Sequence, residues 1–395
     1  MEEPPNTTRE RIAFIAQGKG AQVPDQTSQL LKVIFDAGDY LDTLRRYPEP
    51  QRYVDGLYQI YCTVALPVEM RGRCFRALRK AGSETGFLPS SYRLSYEPSR
   101  QDALANAAGG FSDVWKATSP SGTALALKII RVTQADDISE MRKRFCKEVL
   151  VAKHVTDPNV LAIVGVQMSD PSDPPNLCIV SPWMDNGNMS TYLRSTDGEG
   201  LDRVKLLLGV TRGLNYLHSI QVVHGDLKSS NILIDSDENP RLTDFGFSSI
   251  TMNNISANAS TPNGKGSTRW FAPELLELST KTKGREKTKS LRVTFKSDTY
   301  SLAMVTIEIF TGRLPFDEYH EHQVILLLAE DKRPDKPVHP QFTPKLWSLT
   351  NKCWAKNPKR RPNIIEVLRE LEAGDRTGRN IYGLIAASVS AFFAF

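Results

Sequence analysis

Asp226, Lys228 and Asn231 crowd one short stretch, His224-Gly225-Asp226-Leu227-Lys228-Ser229-Ser230-Asn231, just ahead of the apolar run Ile232-Leu233-Ile234. A carboxylate at Asp226 can orient a hydroxyl and accept its proton. A lysine two residues on can neutralise charge on a phosphoryl group in transit, and the amide oxygen of Asn231 can ligate magnesium. The competing reading is a polar loop in which Asp and Asn only make turns. The register H-x-D-L-K-x-x-N outweighs it, because the spacing carries more information than any single residue. Downstream, Asp244-Phe245-Gly246 offers a second carboxylate to bridge magnesium to phosphate oxygens, a ring to pack near His224, and a glycine for a backbone turn. Its order and distance after the first loop give that tripeptide its weight.

Two segments upstream could hold the phosphates themselves. Ala107-Ala108-Gly109-Gly110-Phe111-Ser112-Asp113-Val114 is glycine-rich, and a turn of that kind lets backbone N–H groups approach phosphate oxygens. Against G-x-G-x-x-G-x-V only Gly109 and Val114 match, with Ala107 and Ser112 in place of the outer glycines, so by itself the segment reads first as a plain β-hairpin with a flexible tip. Lys128 then sits in the apolar run Leu125 to Ile130, where an ammonium is costly to bury unless it meets anions; the alternative is a strand-edge lysine in water. Glu148 follows in a helical stretch whose buried side carries Met141, Phe145, Val149 and Ala152. A Lys128–Glu148 pair would aim the ammonium at α- and β-phosphates. Farther on, Arg361 is a candidate ion-pair partner for Glu274 in Gly266-Ser267-Thr268-Arg269-Trp270-Phe271-Ala272-Pro273-Glu274, and Asp298 a tie between a core helix and the Asp226 loop.

The elements that must position these groups change texture along the chain. Residues 1–26 are polar and proline-bearing, and predict a loose terminus. Residues 27–92 predict a small helical region: Thr27 or Ser28 caps a first stripe (Leu30, Leu31, Ile34, Phe35, Leu41, Leu44), Tyr53 to Val64 make a second, and Met70, Cys74 and Leu78 a third that stops near Gly82 and Pro89. No chemistry is visible there, and the region reads as a packing or docking appendage. From about Arg93 glycine-rich and β-branched segments precede a helix, further strands and a helix-rich half. The fold class is therefore α+β, with two lobes and a cleft between them. Residues 374–395 form an apolar tail; its uncharged end, Ile381–Phe395, falls short of the roughly 20 residues of a spanning helix. A short packed helix or a disordered stretch is expected there in preference to a membrane anchor.

Composition narrows the setting. The 395 residues carry a net charge of +5, with 50 Lys+Arg interspersed among 45 Asp+Glu, which gives no reason to expect nucleic-acid binding. Five scattered cysteines form no CxxC pair, and the N-terminus lacks the apolar core of a secretory signal. A cytoplasmic protein with free thiols is expected.

In order, GGFSDV, LALK, Glu148, HGDLKSSN, DFG, APE and the Asp298 and Arg361 segments resemble the eukaryotic protein kinase domain over residues 95–373. DLKSSN looks like the serine/threonine form, and GSTRWFAPE is similar to the tyrosine-kinase-like group. The resemblance implies a bilobal protein kinase fold, a β-rich small lobe and a helical large lobe, binding ATP and Mg and acting on a protein substrate. It assigns Asp226 and Lys228 to catalysis and Asn231 and Asp244 to the metal. Ala107, Gly109, Gly110, Ser112, Val114, Lys128, Glu148 and Met184 fall to ATP, with Ser181 as a small gatekeeper, the Met184 backbone on adenine, and Ser267 steadying Asp226. Three departures stand out. Gly225 replaces the usual arginine that pairs with a phosphorylated activation loop, Ala107 crowds the phosphate turn, and the activation segment holds the stretch TMNNISANASTPNGKG. A basic insertion, STKTKGREKTKSLR, reads as a solvated loop. The alternatives to an active serine/threonine kinase are a pseudokinase scaffold and an adaptor built on the N-terminal helices. Removal of residues 1–92 separates the last: an adaptor loses its partner, a kinase keeps its activity.

Overall fold

The computed structural model describes residues 7–17, 31–37, 40–63, 66–102, 104–108, 112–132, 137–169, 176–196, 200–245, 268–275 and 293–374. The chain divides into two compact units, Met1–Val155 with Ala162–Trp183, and Thr156–Leu161 with Met184–Phe395.

The first unit is built on an antiparallel sheet of β1 (Ser99–Arg100), β2 (Ala107–Ala108), β3 (Ser112–Thr118), β4 (Ala124–Ile130), β5 (Gly165–Met168) and β6 (Leu177–Pro182). Its order is β1-β3-β4-β6-β5, with β2 also on β3. Alternation along β4 sorts its side chains. Leu125 and Leu127 join Ala117, Cys178 and Val180 in a buried apolar cluster. Lys128 therefore faces the other way, opposite Val114 on β3 and Ile179 on β6.

Among the described residues five α-helices precede the sheet: α1 (Thr8–Ala16), α2 (31–36), α3 (Tyr40–Arg45), α4 (Pro50–Thr63) and α5 (Val68–Thr85). Residues 1–26 are not simply a loose terminus. Thr7 and Glu10 form a capping box that starts α1, and Ile12 and Ile15 are buried. The first predicted stripe falls in two helices rather than one, the first ending before Ala37. The third stripe, α5, stops between Gly82 and Pro89 as expected. It runs to Thr85 and ends on Gly86, whose φ of +72° suits a left-handed cap. These helices belong to the same compact unit as the sheet. α5 lies against α6 (Ile138–Ala152), the helix that carries Glu148 and starts from the N-cap Asp137.

The second unit contains α7 (Met189–Ser195), α8 (Arg203–Ser219), a hairpin of β7 (Ile232–Ile234) with β8 (Pro240–Leu242), α9 (Phe295–Thr311), α10 (Glu321–Ala329), α11 (Pro344–Cys353) and α12 (364–374). Almost every side chain of α9 is buried, and α8 and α11 pack on it. The α+β expectation holds: one sheet-based unit with helices, one unit dominated by helices. All five cysteines are free thiols, and among the described residues no helix is long and apolar enough to cross a membrane.

Candidate active site

In the first unit the sheet register gathers several of the residues singled out in the sequence. Partners directly across strands share a face. Val114, Lys128 and Ile179 form one such row, with Ala126 and Ser181 in the next. Ser112 pairs with Ile130 and the Ala107 backbone with Val114, so both flank the same row. Ile179 and Ala126 were not picked out beforehand; period-two alternation around Lys128 is the signal that finds them. Glu148 is 4% exposed on α6. Gly109 and Gly110 lie outside the described residues.

The second unit holds the remaining candidates, and here the Asp226 loop is tightly specified. The Asp226 carboxylate lies 3.0 Å from Lys228 Nζ. Asn231 donates from its side-chain nitrogen to the Asp226 carbonyl (2.8 Å) and carboxylate (3.0 Å). Both bonds use the amide nitrogen, which leaves Asn231 Oδ1 as the oxygen suited to a hard cation. The Asn231 carbonyl accepts from the Thr243 N–H at 3.0 Å, which brings Asp244 beside it. Asp244 has a φ of +62°, a left-handed conformation that Asp tolerates better than most residues. The site thus offers one carboxylate and one amide oxygen, a donor set that fits Mg²⁺ completed by phosphates and water. Met184 opens this unit, and its carbonyl accepts from the Gly187 N–H at 3.1 Å.

Asp298 holds the loop from below. Its carboxylate, 1% exposed, accepts the His224 and Gly225 N–H groups, each at 2.8 Å, and faces His218 Nε2 at 2.9 Å. Gly225 adopts a φ of +79°, where any side chain adds strain. His224 is fully buried; burial pushes its pKa down and outweighs the upward pull of Asp298, Asp226 and Asp244. Its neutral ring meets Phe245 edge-on at 6.4 Å. Arg361 reaches Glu274 through two bonds of 2.7 and 2.8 Å and lies 5.0 Å from the Tyr300 ring.

Glu308 completes the support. From α9 it accepts the Ser229 hydroxyl of the loop and, at 3.2 Å, the Trp270 indole N–H. Burial pushes its pKa up to about 7 against the downward pull of those bonds. Sequence reading passed over it, although a glutamate within the apolar run Ser301 to Phe310 is the kind of residue that stays buried only with partners. Gly246, Ser267, the activation-segment stretch, the basic insertion and residues 375–395 lie outside the described residues.

The profile of the family described as protein tyrosine and serine/threonine kinase matches residues 104–371, and the chain belongs to that family. Among its relatives, serine/threonine-protein kinase STY17 of Arabidopsis thaliana is 31% identical over 277 residues, 68% of this chain and 44% of that protein. Serine/threonine/tyrosine-protein kinase HT1 of Arabidopsis thaliana is 30% identical over 258 residues, 64% of this chain and 60% of that protein. Dual specificity protein kinase pyk3 of Dictyostelium discoideum is 33% identical over 270 residues, 67% of this chain and 18% of that protein. The matched part of the chain thus spans between 18% and 60% of the length of these relatives.

Proposed function

We propose that this chain is an ATP-dependent protein kinase acting on serine and threonine hydroxyls, with Asp226 as the group that receives the substrate proton. The observation that carries the reading is the Asp226 carboxylate, positioned by Lys228 and Asn231 in a loop whose backbone is tied to buried Asp298. In the proposed step the substrate oxygen forms a bond to the γ-phosphorus, the bond to the ADP oxygen breaks, and the hydroxyl proton passes to Asp226. Lys228 balances charge on the phosphoryl oxygens. Lys128, with Glu148, Val114, Ser112, Ala107, Gly109, Gly110 and the Met184 backbone, is assigned to ATP. Asn231 and Asp244 would hold Mg²⁺, which when bound neutralises charge between the β- and γ-phosphates. The rate then comes from position and electrostatics.

The pseudokinase alternative draws on Ala107 and Gly225. At φ +79° glycine relieves the loop backbone, so this departure preserves the Asp226 geometry while removing a partner for a phosphorylated loop. The test is Mg-dependent transfer of labelled phosphate to a generic basic protein. Asp226→Asn should abolish transfer while ATP still raises the melting temperature. ATP-induced stabilisation without transfer in the wild type identifies a scaffold, and equal transfer by wild type and mutant exposes a contaminating kinase.

A further inference from the structure

Helix α6 is gripped on the side opposite Glu148. At about 100° per residue, Arg142, Cys146 and Leu150 form one buried stripe, and Glu148 falls roughly half a turn away from its centre. That stripe meets α5 at two glycines. A Cβ at Gly82 would stand 2.5 Å from Leu150 Cδ1, 3.2 Å from the Phe87 carbonyl oxygen and 3.8 Å from Cys146 Cβ. One at Gly86 would stand 3.2 Å from Arg142 Cγ and Cδ. Arg142 in turn donates to the Ser169 carbonyl at the end of β5, at 2.8 Å.

The C-terminal end of α6 is held by rings. His154, just past it, has its centroid 6.1 Å from Tyr58, 5.2 Å from Tyr61, 4.7 Å from Phe75 and 6.0 Å from Tyr92. Tyr58 and Tyr61 come from α4, Phe75 from α5, and Tyr92 from the turn that follows. That turn is anchored as well. Asp55 accepts the Ser90 N–H (2.6 Å) and hydroxyl (2.8 Å), and the Leu94 N–H donates to the Val166 carbonyl at the sheet edge at 3.1 Å. Behind it α1 closes on α4 so tightly that a Cβ at Gly56 would stand 2.1 Å from the Ile15 carbonyl oxygen.

We propose that the helices before residue 93 are a positioning layer for phosphotransfer, fixing the helix that carries Glu148, and that Gly82 is the positioning residue on which the contact turns. This rests on the kinase reading above and reverses the sequence expectation that a kinase lacking residues 1–92 keeps its activity. A displacement of about 1 Å at a catalytic constellation can cost about a hundredfold in rate. An alanine at 82 must turn the Leu150 tip and displace the Phe87 carbonyl by a few tenths of an ångström. A leucine at 82 must push α5 and α6 apart.

The experiment compares full-length wild type, Gly82→Ala, Gly82→Leu and Gly82→Leu with Leu150→Ala, by steady-state kinetics and by amide exchange across Ile138–Ala152, with the α8 amides as the reference. Expected is a graded fall in kcat, at least about tenfold for Gly82→Leu. Exchange should quicken in α6 but not in α8, and Leu150→Ala should restore both to within about threefold of wild type. A folded Gly82→Leu with unchanged kcat and unchanged α6 protection overturns the proposal, as does a folded double variant that recovers neither. If the leucine variant does not fold, Gly82→Ala decides by the same two readouts. If wild type transfers no phosphate, the kinase reading fails separately, and α6 exchange alone judges the positioning layer: quickened in Gly82→Leu and restored in the double variant sustains it, unchanged refutes it.

Discussion

Replacing Asp298 by asparagine removes one charge and turns one acceptor oxygen into a donor, in a site where three donors converge on a carboxylate that is 1% exposed. One amide oxygen can serve at most two of them in good geometry, and the new NH₂ confronts the third. A buried donor left without an acceptor costs about 1–3 kcal/mol, and the surviving bonds lose their charge assistance, together about 2–4 kcal/mol. For a unit of this size each kcal/mol lowers Tm by about 2–4 °C, so a fall of about 4–16 °C is expected. The two bonds at greatest risk tether the backbone of His224 and Gly225, the residues leading into Asp226. The kcat should therefore drop about tenfold or more in the material that remains folded. Thermal unfolding and initial rates on the same preparation check both. Asp113→Asn removes the same charge from an exposed pair with Arg131 and should leave Tm within about 1 °C. An Asp298→Asn protein that matches that control in both Tm and kcat would refute the claim that this carboxylate holds the loop.

Two further outcomes follow from the same unit. Arg361→Met should destabilise by about 3 kcal/mol, the low end for a broken buried ion pair, because Glu274 keeps 31% of its side-chain surface and can find water; Arg361→Lys should fall between, and urea midpoints rank the three. Glu308 holds its proton more tightly folded (about 7) than unfolded (4.5). Its stabilising contribution is therefore complete below pH about 4.5 and disappears as pH rises through about 7, a change of about 3 kcal/mol at about 1.4 kcal/mol per pH unit. Relative to wild type, Glu308→Gln should gain stability between pH 5 and 8, and parallel stability–pH curves for the two proteins would contradict this.

The parts of the site that could be read in the sequence are those whose members are contiguous or stand at fixed separation. Asp226, Lys228 and Asn231 meet because a single short loop leaves few other arrangements. The Glu274–Arg361 pair and the Asp298 tether were expected from motif order, and their geometry is present. What escaped depends on distant contacts. Glu308 is visible as a charge in an apolar helix, but its partners come from Ser229 and Trp270, which no periodicity connects to it. The α1 helix was lost because nine residues with only modest apolar content look like a tail until Thr7 and Glu10 are seen to close a capping box. Gly82 read as a stop signal. Its use is the missing Cβ that admits Leu150, a property of the neighbouring helix and not of its own segment.

The two units hold their functional elements by different physics, and this bears on where control over the rate can reside. Around Asp226 the anchors are buried charges with directional bonds, Asp298 and Glu308 among them, and such contacts admit few geometries between made and broken. Helix α6 packs on α5 where Gly82 meets Leu150 and Cys146, and His154 just past its end meets rings from α4 and α5. Those attractions are individually weak and carry little direction, so a helix resting on them can shift by fractions of an ångström at modest cost. On the proposal above, a small displacement that alters the rate should therefore arise more readily in α6, through the N-terminal helices, than in the loop that carries Asp226.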